Sequence, residues 1–240
     1  MASHRNEPKA RHRLTAALAV ILTALCGTPV LAGSITMSDR CRVPDTYLRF
    51  ATALERTGWR IGHRSPVRIY ILGPLSSTAR FETELERRLP GINVEVTGGQ
   101  QAGLADDDFE MLRTAVARLQ PDLVIWQVGV RDALASSDVE DFENVLDEAN
   151  TWLEHRGVDL ILMDPPFVPH IRHERIYTPY VGEIGLVSRT EGVPVLRRYA
   201  AMQYWSIQRE KLRAPPLDTR ATQPCVNELL AEAISRAASR

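Results

Sequence analysis

Five short apolar runs, spaced by stretches of helical periodicity, constrain this chain more than any other feature. They are "VRIYIL" (67–72), "INVEV" (92–96), "DLVIWQV" (122–128), "VDLILMD" (158–164) and "VPVL" (193–196). Continuous runs of this length, rich in Val, Ile and Leu, suit strands covered on both faces. The segments between the first four repeat their apolar residues at helical spacing. Phe81, Leu85 and Leu89 share one face, as do Phe109, Leu112, Val116 and Leu119, and Phe142, Val145, Ala149 and Leu153. Alternating strands and helices predict a three-layer α/β/α sandwich around a five-stranded parallel sheet of the flavodoxin-like kind. "NELLAEAISRAASR" (227–240) predicts a closing helix, whereas residues 165–192, from Pro165 to Gly192, read as a long irregular connection. In such sheets ligands gather beyond the carboxyl ends of the strands, where the strand order reverses. That puts the loops opening at Gly73 and Gly129 side by side.

The N-terminus reads as an export signal over residues 1–33: a basic "MASHRNEPKARHR", an apolar "LTAALAVILTALCG", and small residues before Gly33. Gly27 and Pro29 interrupt the apolar run, so cleavage is expected rather than a retained membrane span. Residues 34–240 then form a single domain, exported to a periplasmic or extracellular compartment. Of three cysteines, Cys26 leaves with the signal, and Cys41 and Cys225 are expected to form one disulfide; the alternative is two buried thiols. A net charge of −1 with scattered arginines gives no basic surface for nucleic acid.

These blocks resemble the SGNH (GDSL-type) hydrolases, especially their secreted bacterial branch, in order from Cys41 to the last helix. "VRIYILGPLSSTAR" resembles the strand and nucleophile turn, often "GSSSTAG" in that branch. "LPGINVEVTGGQ" is similar to the second strand with its oxyanion glycine, and "PDLVIWQVGVRDAL" to "PDLVIWQVGTNAAL". "LILMDPPFVP" and "VPVLRRYAAMQYW" match the blocks around the fourth and fifth strands. The resemblance implies an ester hydrolase fold with a serine nucleophile, a base histidine held by an aspartate three residues earlier, and an oxyanion hole of serine, glycine and asparagine donors.

Residue by residue, that set is incomplete. Ser76 takes the nucleophile position if the match is anchored on "SST", with Pro74 in place of the glycine; a cap of the following helix is the plainer role for Ser76. The oxyanion glycine maps to Gly98 or Gly99, with Gly99 preferred, and the asparagine maps to Arg131. Anchored on Cys225 or on Asp218, the histidine position holds Leu217 or Ala221, and no histidine follows His173 anywhere. His170 and His173 could supply a relocated base, although solvated loop histidines are the simpler reading. Arg131 either turns the old oxyanion site toward an anion or pairs with Asp132 or an acid of the 138–148 helix.

Three functions compete on these residues. The first is an exported, non-hydrolytic SGNH-like protein that keeps a pocket for a small anionic or carbohydrate ligand. The second is an esterase or carbohydrate O-deacetylase using Ser76. The third is an envelope interaction protein displaying Phe167, Ile171, Ile176, Tyr177 and Tyr180 on the 165–192 segment. None of them calls for a cofactor or a metal.

Overall fold

The structure, a computed structural model, describes Met1 and residues 37–74, 77–169, 171–215 and 219–239. Apart from Met1, the stretch read as an export signal lies outside the described residues. The elements run α1 (Glu55–Gly62), β1 (Val67–Leu72), α2 (Thr78–Arg88), β2 (Val94–Gly99), α3 (Ala105–Leu119), β3 (Leu123–Gln127), α4 (Val130–Ala135), α5 (Val139–Glu154), β4 (Asp159–Met163), α6 (Ile171–Thr190), β5 (Val195–Leu196), α7 (Arg198–Lys211) and α8 (Thr219–Ala238). All strand pairs are parallel, in the order β2-β1-β3-β4-β5. The order reverses between β1 and β3, as the apolar runs predict.

Strand periodicity divides the core in two. Val67, Ile69 and Ile71 of β1, with Leu123 and Ile125 of β3 and Ile161 and Met163 of β4, face the layer that holds α8 and Trp205 of α7. Tyr70 and Leu72, Val124 and Trp126, and Leu160 and Leu162 face Phe109, Leu146, Tyr180 and their neighbours on α3, α5 and α6. Successive side chains of a strand point to opposite faces, so a run apolar at every position fills both layers.

The disulfide forms. Cys41 and Cys225 are bonded with Cα atoms 4.9 Å apart, both buried, and Trp205 Nε1 donates to the Cys41 carbonyl at 3.1 Å. The segment before α1 is thereby tied to α8. Among the described residues no helix is long and apolar enough to cross a membrane.

Two expectations are corrected. The last helix begins at Thr219, more than two turns before Asn227. Residues 171–190 of the supposed irregular connection form α6. Pro179, Gly182 and Gly185 masked it, yet Tyr177, Tyr180, Ile184 and Val187 recur at helical spacing and are buried. Pro179 is on the exposed face, where water can satisfy the carbonyl that its missing N–H leaves free. Phe167, Tyr177 and Tyr180 are 7%, 5% and 4% exposed, and Ile176 packs against the core; Ile171's side chain lies outside the described residues. The apolar display that an interaction segment would need is therefore absent among the described residues of 165–192.

Candidate functional site

β1 runs out at Gly73, whose φ of +126° favours glycine, and a Cβ there would stand 2.7 Å from the Gln127 Cβ. The turn after β1 thus lies directly against the end of β3. Gly73 N–H donates to the Gly99 carbonyl at 3.1 Å, prolonging the β1–β2 ladder. β2 itself continues through Gly98 and Gly99, beyond the "INVEV" run, because Ile71 and Leu72 pair with them. The N-cap of α2 is Ser77, whose Oγ accepts from Arg80 N–H at 3.2 Å. The capping role considered for Ser76 therefore belongs to its neighbour. Ser76 and His170 lie outside the described residues, as does the side chain of His173.

A cavity of about 640 Å³ opens at this edge, between Gly73, Pro74 and Thr78 on one side and Val130, Arg131 and Leu134 on the other, with Gly98 and Gly99 between. Gly99 is required for the floor: a Cβ there would overlap the Tyr70 hydroxyl. The structure brings Gly99 and Arg131 to one cavity. Arg131 follows Gly129, a positive-φ N-cap that turns the chain sharply out of β3. Its guanidinium donates from Nη1 to the Ala102 carbonyl at 3.2 Å and makes no ion pair among the described residues. Asp132 points elsewhere. It is buried and accepts from Ala105 N–H at 2.9 Å, the first residue of α3. Burial, offset by that N–H, raises its pKa. Of the two readings of Arg131, the pairing with Asp132 or with the 138–148 helix does not occur among the described residues, and the cation stays available to the cavity.

Beneath the turn lies a buried polar chain that sequence reasoning did not single out. Gln127 Nε2 donates to the Pro74 carbonyl at 3.0 Å, and its Oε1 accepts from Arg198 Nη1 at 2.8 Å. Arg198 Nε donates to the Asp164 carbonyl at 2.8 Å, and Asp164 Oδ1 accepts from Tyr199 N–H at 2.8 Å. The ends of β1, β3 and β4 and the start of α7 are thus locked together. Burial pushes the Asp164 carboxyl up to about 7, against the Tyr199 N–H and the Arg198 charge; burial lowers Arg198 to about 10. The only sequence signal was position: each of these residues ends a strand or opens the next segment, in a matching block.

The raised Asp164 pKa has a consequence for stability. The unfolded value is about 3.9, so between about pH 4 and 7 the native state holds a proton that the unfolded chain has released. This group's contribution is therefore complete below the unfolded value and is lost as pH rises through the folded one, by up to about 4 kcal/mol. The raised Asp132 and Asp159 values tilt the profile the same way. Wild type should melt at a higher temperature at pH 5 than at pH 8, and Asp164→Asn should flatten much of that slope. An unchanged slope in Asp164→Asn would place its origin elsewhere.

Architecture and edge cavity together define an SGNH-hydrolase type of α/β protein. Matched over residues 40–240, the chain belongs to the non-GDSL lipase-like family. Solved structures agree on the fold. TesA is 15% identical with a TM-score of 0.55, over 71% of this chain and 99% of that one. The lipase/acylhydrolase from Enterococcus faecalis is 19% identical with a TM-score of 0.54, over 71% and 96%. A catalytic mutant of Axe2, an acetylxylan esterase from Geobacillus stearothermophilus, is 13% identical with a TM-score of 0.52, over 71% and 93%. No curated protein matches the chain significantly.

Proposed function

We propose that this chain is an exported, non-hydrolytic member of its family that holds a small carboxylate-bearing ligand in the cavity at the ends of β1 and β3. The observation that carries the reading is Arg131. A long cation stands where the resemblance calls for a short amide, is unpaired by any described carboxylate, and lines the cavity with Gly99. Its fork suits a carboxylate. Val130 and Leu134 beside it suit a short apolar chain on that carboxylate. The absence of any histidine after His173 supports loss of turnover, because a serine without its base can lose on the order of 10⁶ in rate. The leader-like N-terminus and the disulfide support action outside the reducing cytoplasm.

Full-length protein assayed on short-chain aryl esters and acetylated sugars should match Ser76→Ala at background. A saturable activity lost in Ser76→Ala would overturn the reading and turn attention to His170 and His173 as base. Butyrate should raise the Tm of wild type through linkage, and Arg131→Ala should abolish the rise. The same rise in Arg131→Ala would place the ligand elsewhere.

A further inference from the structure

Four arginines converge at the opposite end of the sheet, where β3 begins. Asp122 precedes β3 and is 1% exposed. Arg60 Nε donates to its Oδ1 at 2.8 Å, Arg56 Nε to the same oxygen at 3.2 Å, and Arg68 N–H to its Oδ2 at 3.0 Å. Those contacts already serve both carboxylate oxygens. The Arg68 side chain stands further off, its Nε 3.8 Å from Oδ2. Arg156 makes no ion pair among the described residues. It lies over the Trp152 ring, 3.7 Å from the centroid, and donates from Nη1 to the Trp152 carbonyl at 3.1 Å. Arg56, Arg68 and Arg156 line one cavity of about 350 Å³, in which Asp122 is the sole acid.

This is more positive charge than one buried carboxylate needs. A carboxylate out of water needs a partner, but Arg60 and the Arg68 N–H satisfy Asp122 without Arg156 or the Arg68 guanidinium. Like charges held round one cavity raise each other's energy, and a multivalent anion relieves the repulsion. Arg56 and Arg156 also border the adjoining cavity, whose acids are Glu55, Glu154, Asp159 and Glu191, and none of these four makes an ion pair with either arginine among the described residues. Asp159 accepts from Arg56 N–H and Thr57 N–H, and Glu154 accepts from Asn150 Nδ2, both beside the adjoining cavity. Two of the three guanidinium groups that line the cavity are held in place before any ligand arrives: Arg56 sits over the Trp59 ring and Arg156 over Trp152. Preorganised forks of this kind recognise tetrahedral oxyanions.

We infer that this cavity, at the pole opposite Arg131, is a second binding site, built for the phosphate or diphosphate group of a small molecule. It needs nothing from the cavity proposed to hold a carboxylate, and either could exist without the other.

Inorganic pyrophosphate is the probe, added to the full-length protein at ionic strength matched with sodium chloride. Calorimetry should show saturable binding to wild type, and at a hundredfold excess over Kd the Tm should rise by about 5 °C. Arg156→Gln and Arg68→Gln should each lose tenfold or more in affinity, while Arg131→Gln should bind as wild type does. Arg156 is exposed, so its variant keeps the fold even if Arg68→Gln does not; circular dichroism checks both. No saturable binding to wild type, or undiminished binding to folded Arg156→Gln, would overturn the site. Loss of binding in Arg131→Gln would move the anion to the other cavity and overturn it equally.

Discussion

Arg198→Met is expected to cost the fold about 3 kcal/mol, read as a lower urea midpoint at an unchanged slope. The methionine fills much of the volume, so the loss is mainly polar. Gln127 Oε1 and the Asp164 carbonyl would each lose a charge-assisted hydrogen bond in a site with Arg198 only 4% exposed. The Asp164 carboxyl would also lose the cation that partly offsets its burial. Removing one member of a buried charged network is among the few single changes that reach several kcal/mol. Arg197→Met is the control: Arg197 is exposed, and its replacement should change stability by no more than about 0.5 kcal/mol. A difference below about 1 kcal/mol between the two variants would show that the chain from Pro74 to Tyr199 does not hold the turn in place.

Loss of the disulfide should be comparable or larger. Cys41 and Cys225 are 184 residues apart in sequence, and for a loop of that length the chain-entropy account gives a ceiling of about 5 kcal/mol. Replacing both cysteines with serine should therefore lower Tm by about 10 °C in a domain of this size. The N-terminal segment should be the first to detach, because the bond fastens it to α8, with Trp205 donating to the Cys41 carbonyl behind it. Mass spectrometry of unreduced protein should recover linked Cys41 and Cys225 peptides. Two freely alkylated thiols at these positions in protein folded under oxidising conditions would contradict the bond, and an unchanged Tm in the double serine variant would contradict its weight.

The sequence by itself determined the sheet and the edge at which a cavity opens beyond β1 and β3. Local periodicity is enough for that, since a strand apolar at every position must be covered on both faces. "VRIYIL" coincides with β1, and the helical faces of α3 and α5 bury the residues that the spacing nominated, Leu119 and Val145 excepted, which are half-buried. That no histidine follows His173 was equally legible, because it is read directly from the chain. What depended on distant residues was not. α6 forms through Pro179, Gly182 and Gly185 because Tyr177, Tyr180, Ile184 and Val187 pack on the sheet's second layer, and that burial outweighs local breakers. Arg197 and Arg198 are neighbours with the same side chain, yet only contact with Gln127 and Asp164 makes one of them buried. The sequence left open whether Arg131 pairs with the carboxylate next door; Asp132 instead turns to Ala105, which is remote in sequence and close in space. The arginines around Asp122 come from α1, β1 and the end of α5, and no spacing rule links positions 56, 68, 122 and 156. Periodicity says which way a side chain faces; which charge meets which is decided by the tertiary structure, because Coulomb and hydrogen-bond energies depend on distance in space rather than on position along the chain.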